Sequence, residues 1–241
     1  MPTIRKENSG NNLVYTLRNN KGNELKVTDA GAKIISLRFR DKNFQNKFVL
    51  KTDAVAGKII VDGNTDFDKI TWDSQDFEQG VRFTANLDGK KVEVVYSISN
   101  DNELSIKYFA EGVQDISAEL VFDGNILEGA EISAYAEGAQ KEKISGEKIY
   151  NIIDKPAEVE FVEGMFGYDF GCPIDYYDAG LKNAADIFSD SAKILVQAYA
   201  SQNKLHVKEI GGGFAIKTSD SKISDGKIQS QTVYIFKNRK N

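Results

Sequence analysis

Apolar and polar residues alternate along most of the chain, which is typical of β-strands that bury one face. The alternation is clearest at residues 92–98, and similar runs recur between residues 25 and 122. A second set of alternating runs covers residues 194–236. Long amphipathic helical windows are missing, and the best helical candidate is the short segment 181–188. The pattern therefore predicts an all-β protein.

Turn residues divide these runs into predicted strands. Asp88 and Gly89 stand between two alternating runs, and both residue types accept the positive φ of a tight hairpin turn. The runs within residues 81–122 predict one meander of antiparallel neighbours. Residues 128–160 are the most charged and least periodic part, so we predict that they leave the sheet, with Pro156 in a loop.

The organisation of the chain indicates a single domain. Its 241 residues contain three prolines, no fixed-period repeat and no convincing linker. We predict one two-sheet sandwich over residues 1–241. No window of roughly 18 apolar residues is present, so no membrane span is expected. One cysteine and an N-terminus without an apolar signal core favour a cytoplasmic protein.

Charge and residue counts exclude several kinds of site. The net charge of −5 disfavours a nucleic-acid surface, which needs clustered cations. One histidine and one cysteine cannot form a Cys/His zinc site, an iron–sulfur cluster or an internal disulfide. We therefore expect no metal and no cofactor. A Ser-His-Asp or Cys-His system is possible only through His206.

Several collinear segments resemble the aldose 1-epimerase (galactose mutarotase) family. Gly167-Tyr168-Asp169 stands where that family carries a Gly-Phe/Tyr-Asp motif, and Asp66-Phe67-Asp68-Lys69 precedes Trp72 as a similar run precedes a family tryptophan. The segments that carry the resemblance are residues 17–43, 66–83, 92–112, 194–207 and 225–236.

The resemblance implies a fold and a chemistry. The family folds as a β-supersandwich and interconverts the α and β anomers of free hexoses. Its glutamate removes the proton of the anomeric hydroxyl, and a histidine protonates the ring oxygen. The ring opens, the C1–C2 bond rotates and the ring closes on the other face. A second histidine and an aspartate hold the sugar, so the reaction is general acid–base catalysis.

This chain departs from the family at the catalytic positions. The family's His-Gly-Gly histidine falls on Val61 or Asp62. Its second histidine falls near Phe122 or Asp123, and its glutamate falls near Lys217. None of these residues matches. Asp123 would serve as an acid only if burial raised its pKa, and Lys217 would serve as a base only if its pKa were depressed.

Four other residues are candidates for sugar binding, each with a structural alternative. Asp169 has the type of side chain that accepts hydrogen bonds from a hydroxyl pair, or it occupies a turn. Tyr168 lies beside it, and aromatic residues there either line a cleft or cap the sandwich. Trp72 either stacks on a pyranose ring or lies in the core. His206 either lies at the rim of a sugar site or is a solvent-facing strand residue.

The sequence leaves three functions open. The first is an aldose 1-epimerase-like protein that binds a small sugar or sugar derivative with weakened or lost mutarotase activity. The second is an active aldose 1-epimerase with substituted acid and base residues. The third is a non-catalytic structural or protein-binding sandwich. The oligomeric state is left open.

Overall fold

The computed structural model describes residues 2–41, 43, 45–51, 56–124, 131–134, 142–143, 147–152, 180–189, 193–210 and 213–238. Within these ranges the chain forms two sheets of ten strands each, and every pair of neighbouring strands is antiparallel. Across the described ranges, the one helical element is a 3₁₀ turn at Asp66–Lys69, and no helix is long and apolar enough to cross a membrane. The predicted all-β class is therefore confirmed.

The first sheet has the spatial order β1 (Thr3–Ser9), β2 (Asn12–Arg18), β3 (Glu24–Thr28), β4 (Lys33–Arg40), β6 (Gly57–Val61), β11 (Ile116–Asp123), β18 (Gly213–Ser219), β17 (Lys204–Ile210) and β14 (Glu147–Asn151), with β5 (Asn46–Phe48) on β4. The second sheet has the order β13 (Glu142–Lys143), β12 (Glu131–Ala134), β15 (Lys182–Ser189), β16 (Ile194–Ala200), β20 (Lys227–Asn238), β10 (Glu103–Glu111), β9 (Lys90–Ile98), β8 (Gly80–Leu87) and β7 (Asp73–Phe77), with β19 (Ile223–Ser224) on β20.

Aromatic side chains from both sheets meet in one core. Tyr15 of the first sheet packs edge-on against Phe83 of the second, with ring centroids 5.9 Å apart. Tyr96 of β9 donates a hydrogen bond of 2.7 Å to the carbonyl oxygen of Ala32. These contacts join the inner faces of the two sheets, so apolar burial between them stabilises the sandwich. That residues 1–241 form a single domain stays a prediction.

The predicted hairpin at Asp88 and Gly89 is confirmed. The φ angles of these residues are +52° and +76°, which are the positive values that a type I′ turn requires. Strands β8 and β9 pair on either side of the turn, with Leu87 opposite Lys90. The local chemistry of the turn thus sets the register of both strands.

The prediction of one continuous meander through residues 81–122 is wrong at its last strand. Strand β10 pairs with β9 and β20 in the second sheet, whereas β11 pairs with β6 and β18 in the first. The chain changes sheets just after β10, where Gly112 has a φ of +71°. Both strands bury one face against the same core, so their alternation is the same in either sheet.

The helical candidate at residues 181–188 is a strand. Strand β15 covers most of this segment, and its register against β16 shifts between Asn183 and Ala185. The irregularity places Ala184 and Ala185 in succession in the core. The apolar residues therefore fall at 181, 184, 185, 187 and 188, which breaks the period-two alternation of a regular strand although the backbone is extended.

The prediction that residues 128–160 leave the sheet is wrong for the parts that the structure describes. Strands β12 and β13 extend the second sheet, and β14 forms an edge of the first. On β14, Ile149 is 59% exposed. Strands at or next to a sheet edge need not bury a continuous apolar face, so these segments lack the period-two pattern of the central strands.

Candidate functional site

Two candidate residues, Asp123 and Lys217, lie on the same surface of the first sheet. In β11 the core residues Leu120 and Phe122 alternate with Glu119 and Asp123, and in β18 the core residue Ile216 precedes Lys217. Side chains alternate along a strand, so the polar residues point away from the second sheet. We call this surface the outer face.

Four polar side chains form a line across the outer face. Lys58, Glu119, Lys217 and His206 lie directly opposite one another on β6, β11, β18 and β17. Directly opposed residues have Cβ atoms about 5 Å apart, so each side chain can reach the next. Lys58 and Glu119 form an ion pair of 3.0 Å. We call these four residues the charged row.

His206, the only histidine of the chain, takes part in this row. Its neighbours Leu205 and Val207 lie in the core, so the imidazole projects from the outer face. It is half-buried, and its Nε2 lies 2.7 Å from Ser219 Oγ. This contact holds the ring against β18, the strand on which Lys217 lies directly opposite His206.

Asp123 lies farther along the same surface, opposite Gly213. Lys217 lies four positions beyond Gly213 along β18, so Asp123 and Lys217 are about 13 Å apart at the backbone. A Cβ on Gly213 would lie 2.2 Å from the carbonyl oxygen of Phe122 and 3.2 Å from Lys51 Cε. Lys51 therefore extends across this glycine, next to Asp123. The structure brings the two acid–base candidates onto one face but not into contact.

Trp72 occupies the core rather than an exposed surface. Its side chain is 2% exposed, and its ring packs against Phe67 with centroids 5.7 Å apart. The indole Nε1 donates a hydrogen bond of 2.8 Å to the carbonyl oxygen of Phe67. The indole presents no open face on which a sugar ring could stack. The sequence left two roles open for Trp72, sugar stacking and core packing. This buried environment supports core packing.

Asp62, one of the two residues at the first family histidine, uses its carboxylate to join three segments. Oδ1 accepts hydrogen bonds from the backbone N–H groups of Gln114 and Asp115, at 2.7 and 2.9 Å. Oδ2 accepts a hydrogen bond of 2.7 Å from Lys90 Nζ. Burial by itself raises the pKa of Asp62, but these hydrogen bonds together lower it below the usual range. The carboxylate therefore has a structural role, because it holds these segments together.

We expect Asp62→Ala to lower the free energy of unfolding by about 2 kcal/mol, because three hydrogen bonds to a charged group are lost. The pKa of Asp62 is lowered in the folded state, so its contribution is present above about pH 4 and falls as the pH drops further. Urea unfolding at pH 7 and pH 3 measures both effects. Asp66→Ala is the control, because that exposed carboxylate contacts only nearby residues. Equal stability of the two variants would contradict the structural role of the Asp62 carboxylate.

Two predicted binding residues, Asp169 and Tyr168, lie outside the described residues. Their roles stay predictions. In the part of the chain that the structure describes, no group of three or more His, Cys, Asp or Glu side chains is arranged to hold a metal ion.

Sequence reasoning did not find Lys58 and Glu119. Both residues belong to alternating strands, but the alternation does not state which strands become neighbours. Glu119 becomes a candidate only once the register places it between Lys58 and Lys217. The sequence pattern does not show that β11 pairs with β6 and β18, and this pairing is what identifies Lys58 and Glu119 as candidates.

The two-sheet antiparallel architecture defines the fold class: the chain has the β-sandwich fold of the galactose mutarotases and aldose epimerases. A solved GalM/aldose epimerase homologue from C. elegans matches it with a TM-score of 0.68 at 12% identity, over all of both chains. The galactose 1-epimerase from Lactobacillus acidophilus NCFM matches with a TM-score of 0.60 at 13% identity, over 100% of this chain and 99% of that one. No family model and no curated protein matches the sequence.

Proposed function

We propose that this protein binds a small carbohydrate on its outer face and that rapid anomerisation is not its role. The observation that supports binding there is the charged row, in which Lys217 stands at the position resembling the family's glutamate. The row presents ammonium donors, a carboxylate acceptor and an imidazole on one surface. Hydroxyl pairs of sugars bind to such mixed groups through charge-assisted hydrogen bonds.

The substituted catalytic positions support the second part of the proposal. Anomerisation needs one group that removes a proton from the anomeric hydroxyl and another that protonates the ring oxygen. The first family histidine falls on Val61 or Asp62, and the carboxylate of Asp62 is already hydrogen-bonded. The second histidine falls near Phe122 or Asp123, and the glutamate falls near Lys217. An ammonium at Lys217 is a proton donor rather than a base, so the family's proton transfers have no direct counterpart.

A second candidate is an aldose 1-epimerase with rebuilt acid and base residues. The observation that favours it is the position of His206 directly opposite Lys217. An imidazole and an amine side by side are both able to exchange protons, and an imidazole titrates close to neutral pH. In this mechanism His206 would act as the base and Lys217 as the acid, with Asp123 as the alternative acid.

Mutarotation and binding must be measured on the same preparation. We expect fresh α-glucose and α-galactose to lose optical rotation at the buffer rate, while NMR titration detects sugar binding. Acceleration that disappears in both His206→Gln and Lys217→Ala would overturn this proposal in favour of the epimerase. An empty screen of neutral and charged sugars would favour the third possibility, a structural or protein-binding sandwich. Lys227→Ala, on the second sheet, is the matched control.

We further propose that the protein acts in the cytoplasm, which its single cysteine supports. Asp169 and Tyr168 are proposed to complete the sugar site, on the strength of the motif that they resemble. Asp169→Asn should weaken sugar binding in the same titration and leave the midpoint of thermal unfolding unchanged. An unfolding midpoint that falls together with the affinity would identify Asp169 as a turn residue instead.

A further inference from the structure

Lys217 is a half-buried cation to which the described chain offers no direct partner. Its Nζ forms no hydrogen bond and no ion pair with any residue in the described ranges. The acid beside it, Glu119, forms an ion pair with Lys58. Asp115 is close enough for Lys217 to influence its titration, but its carboxylate accepts hydrogen bonds from the backbone of Asp220 and Ser221.

Among the described residues of the charged row, Lys217 is therefore the lysine that forms no ion pair. Lys58 and Glu119 neutralise each other through their ion pair. A partly desolvated ammonium gains free energy from an anionic partner, because the cost of its desolvation is already met in the folded protein. The net charge of −5 disfavours anions over the surface as a whole, so an anionic ligand needs a local cation such as Lys217.

Resting on the proposed function, we propose that the natural ligand is a carbohydrate that carries a carboxylate, a uronic acid, and that Lys217 pairs with this group. A carboxylate supplies one negative charge, which matches the single ammonium of Lys217. A phosphate monoester carries nearly two at neutral pH and would exceed it. The ring hydroxyls then lie along the row, where Glu119 accepts hydrogen bonds from them and His206 exchanges one.

The test is a comparison of matched sugars by NMR titration. Galacturonate, glucuronate and mannuronate are each compared with the neutral hexose of the same stereochemistry and with its 6-phosphate. We expect the best uronate to bind at least about tenfold more tightly than its neutral partner, the typical value of one hydrogen bond to a charged group. Binding of a neutral hexose equal to that of its uronate would overturn the inference and leave the proposed function intact. Tighter binding of the phosphate would overturn the choice of carboxylate.

Substitutions identify the cation. Lys217→Gln should weaken uronate binding about tenfold more than it weakens neutral hexose binding, whereas Lys217→Arg should retain most of the preference. Lys227→Gln removes an equal charge from an ion pair with Glu111 on the second sheet and should have no effect on either ligand. Thermal unfolding of each variant separates lost binding from lost folding. Unchanged uronate binding in folded Lys217→Gln would refute the assignment.

Discussion

Trp72→Ala is expected to lower the free energy of unfolding by about 4 kcal/mol, because it removes the largest side chain of the core. The indole is 2% exposed, so its removal leaves a cavity between the sheets. It also leaves the carbonyl oxygen of Phe67 without the hydrogen bond from Nε1. Because Trp72 is the only tryptophan, unfolding of the variant must be followed by far-ultraviolet circular dichroism in urea.

Two comparisons make this prediction specific. Phe48→Ala removes an aromatic ring that is 43% exposed and should cost less than about 1 kcal/mol. Trp72→Phe keeps most of the ring volume and should fall between the two. In the native protein we also expect blue-shifted fluorescence that acrylamide quenches poorly. A stable Trp72→Ala variant that loses sugar binding would show instead that the indole contacts the ligand.

Glu103→Gln is expected to stabilise the protein at pH 8 by about 2–3 kcal/mol and to have little effect near pH 4.5. Glu103 is buried opposite Ile235, and burial, together with the charge of Asp101, raises its pKa from 4.5 to about 7. The folded protein therefore holds this proton more tightly than the unfolded chain. Its contribution is fully present below about pH 4.5 and is lost as the pH rises through about 7.

The measurement is urea unfolding of both proteins at half-unit steps from pH 4.5 to pH 8.5. The wild-type stability should fall over this range, and Glu103→Gln should flatten the fall. Glu93→Gln is the matched control, because Glu93 is also buried on the second sheet but forms an ion pair of 3.4 Å with Arg82. Loss of that pair should destabilise the protein at pH 8. The same sign for both variants would contradict the role assigned to Glu103.

Local chemistry explains which features of the fold were predictable. Asp88 and Gly89 specify their own turn, and period-two alternation specifies strands wherever one face meets the core. The sheet to which β11 belongs depends on contacts with β6 and β18, which lie far away in sequence. The prediction for residues 181–188 was wrong for a different reason, because one irregularity in pairing interrupts the period-two pattern of the strand.

The candidate site was predictable only in part, for a physical reason of the same kind. Residue type identified His206, the resemblance to the epimerase family identified Lys217, and Trp72 was left between two roles. Their arrangement depends on register, which places His206 opposite Lys217 and adds Glu119 to the same line. Trp72 could not be assigned from its type, because an indole serves equally well as a buried side chain and as a binding surface.

The position of β20 has a consequence for how the chain acquires its structure. This strand, residues 227–238, lies between β10 and β16 in the middle of the second sheet. During synthesis, β7 to β10 can pair as soon as they leave the ribosome. The other edge of β10 pairs with β20, which is synthesised more than a hundred residues later. Pairings over such long sequence separations make folding slow. Until β20 arrives, β10 exposes unpaired backbone to other nascent chains, so folding yield in the cell should depend on chaperones that protect this edge.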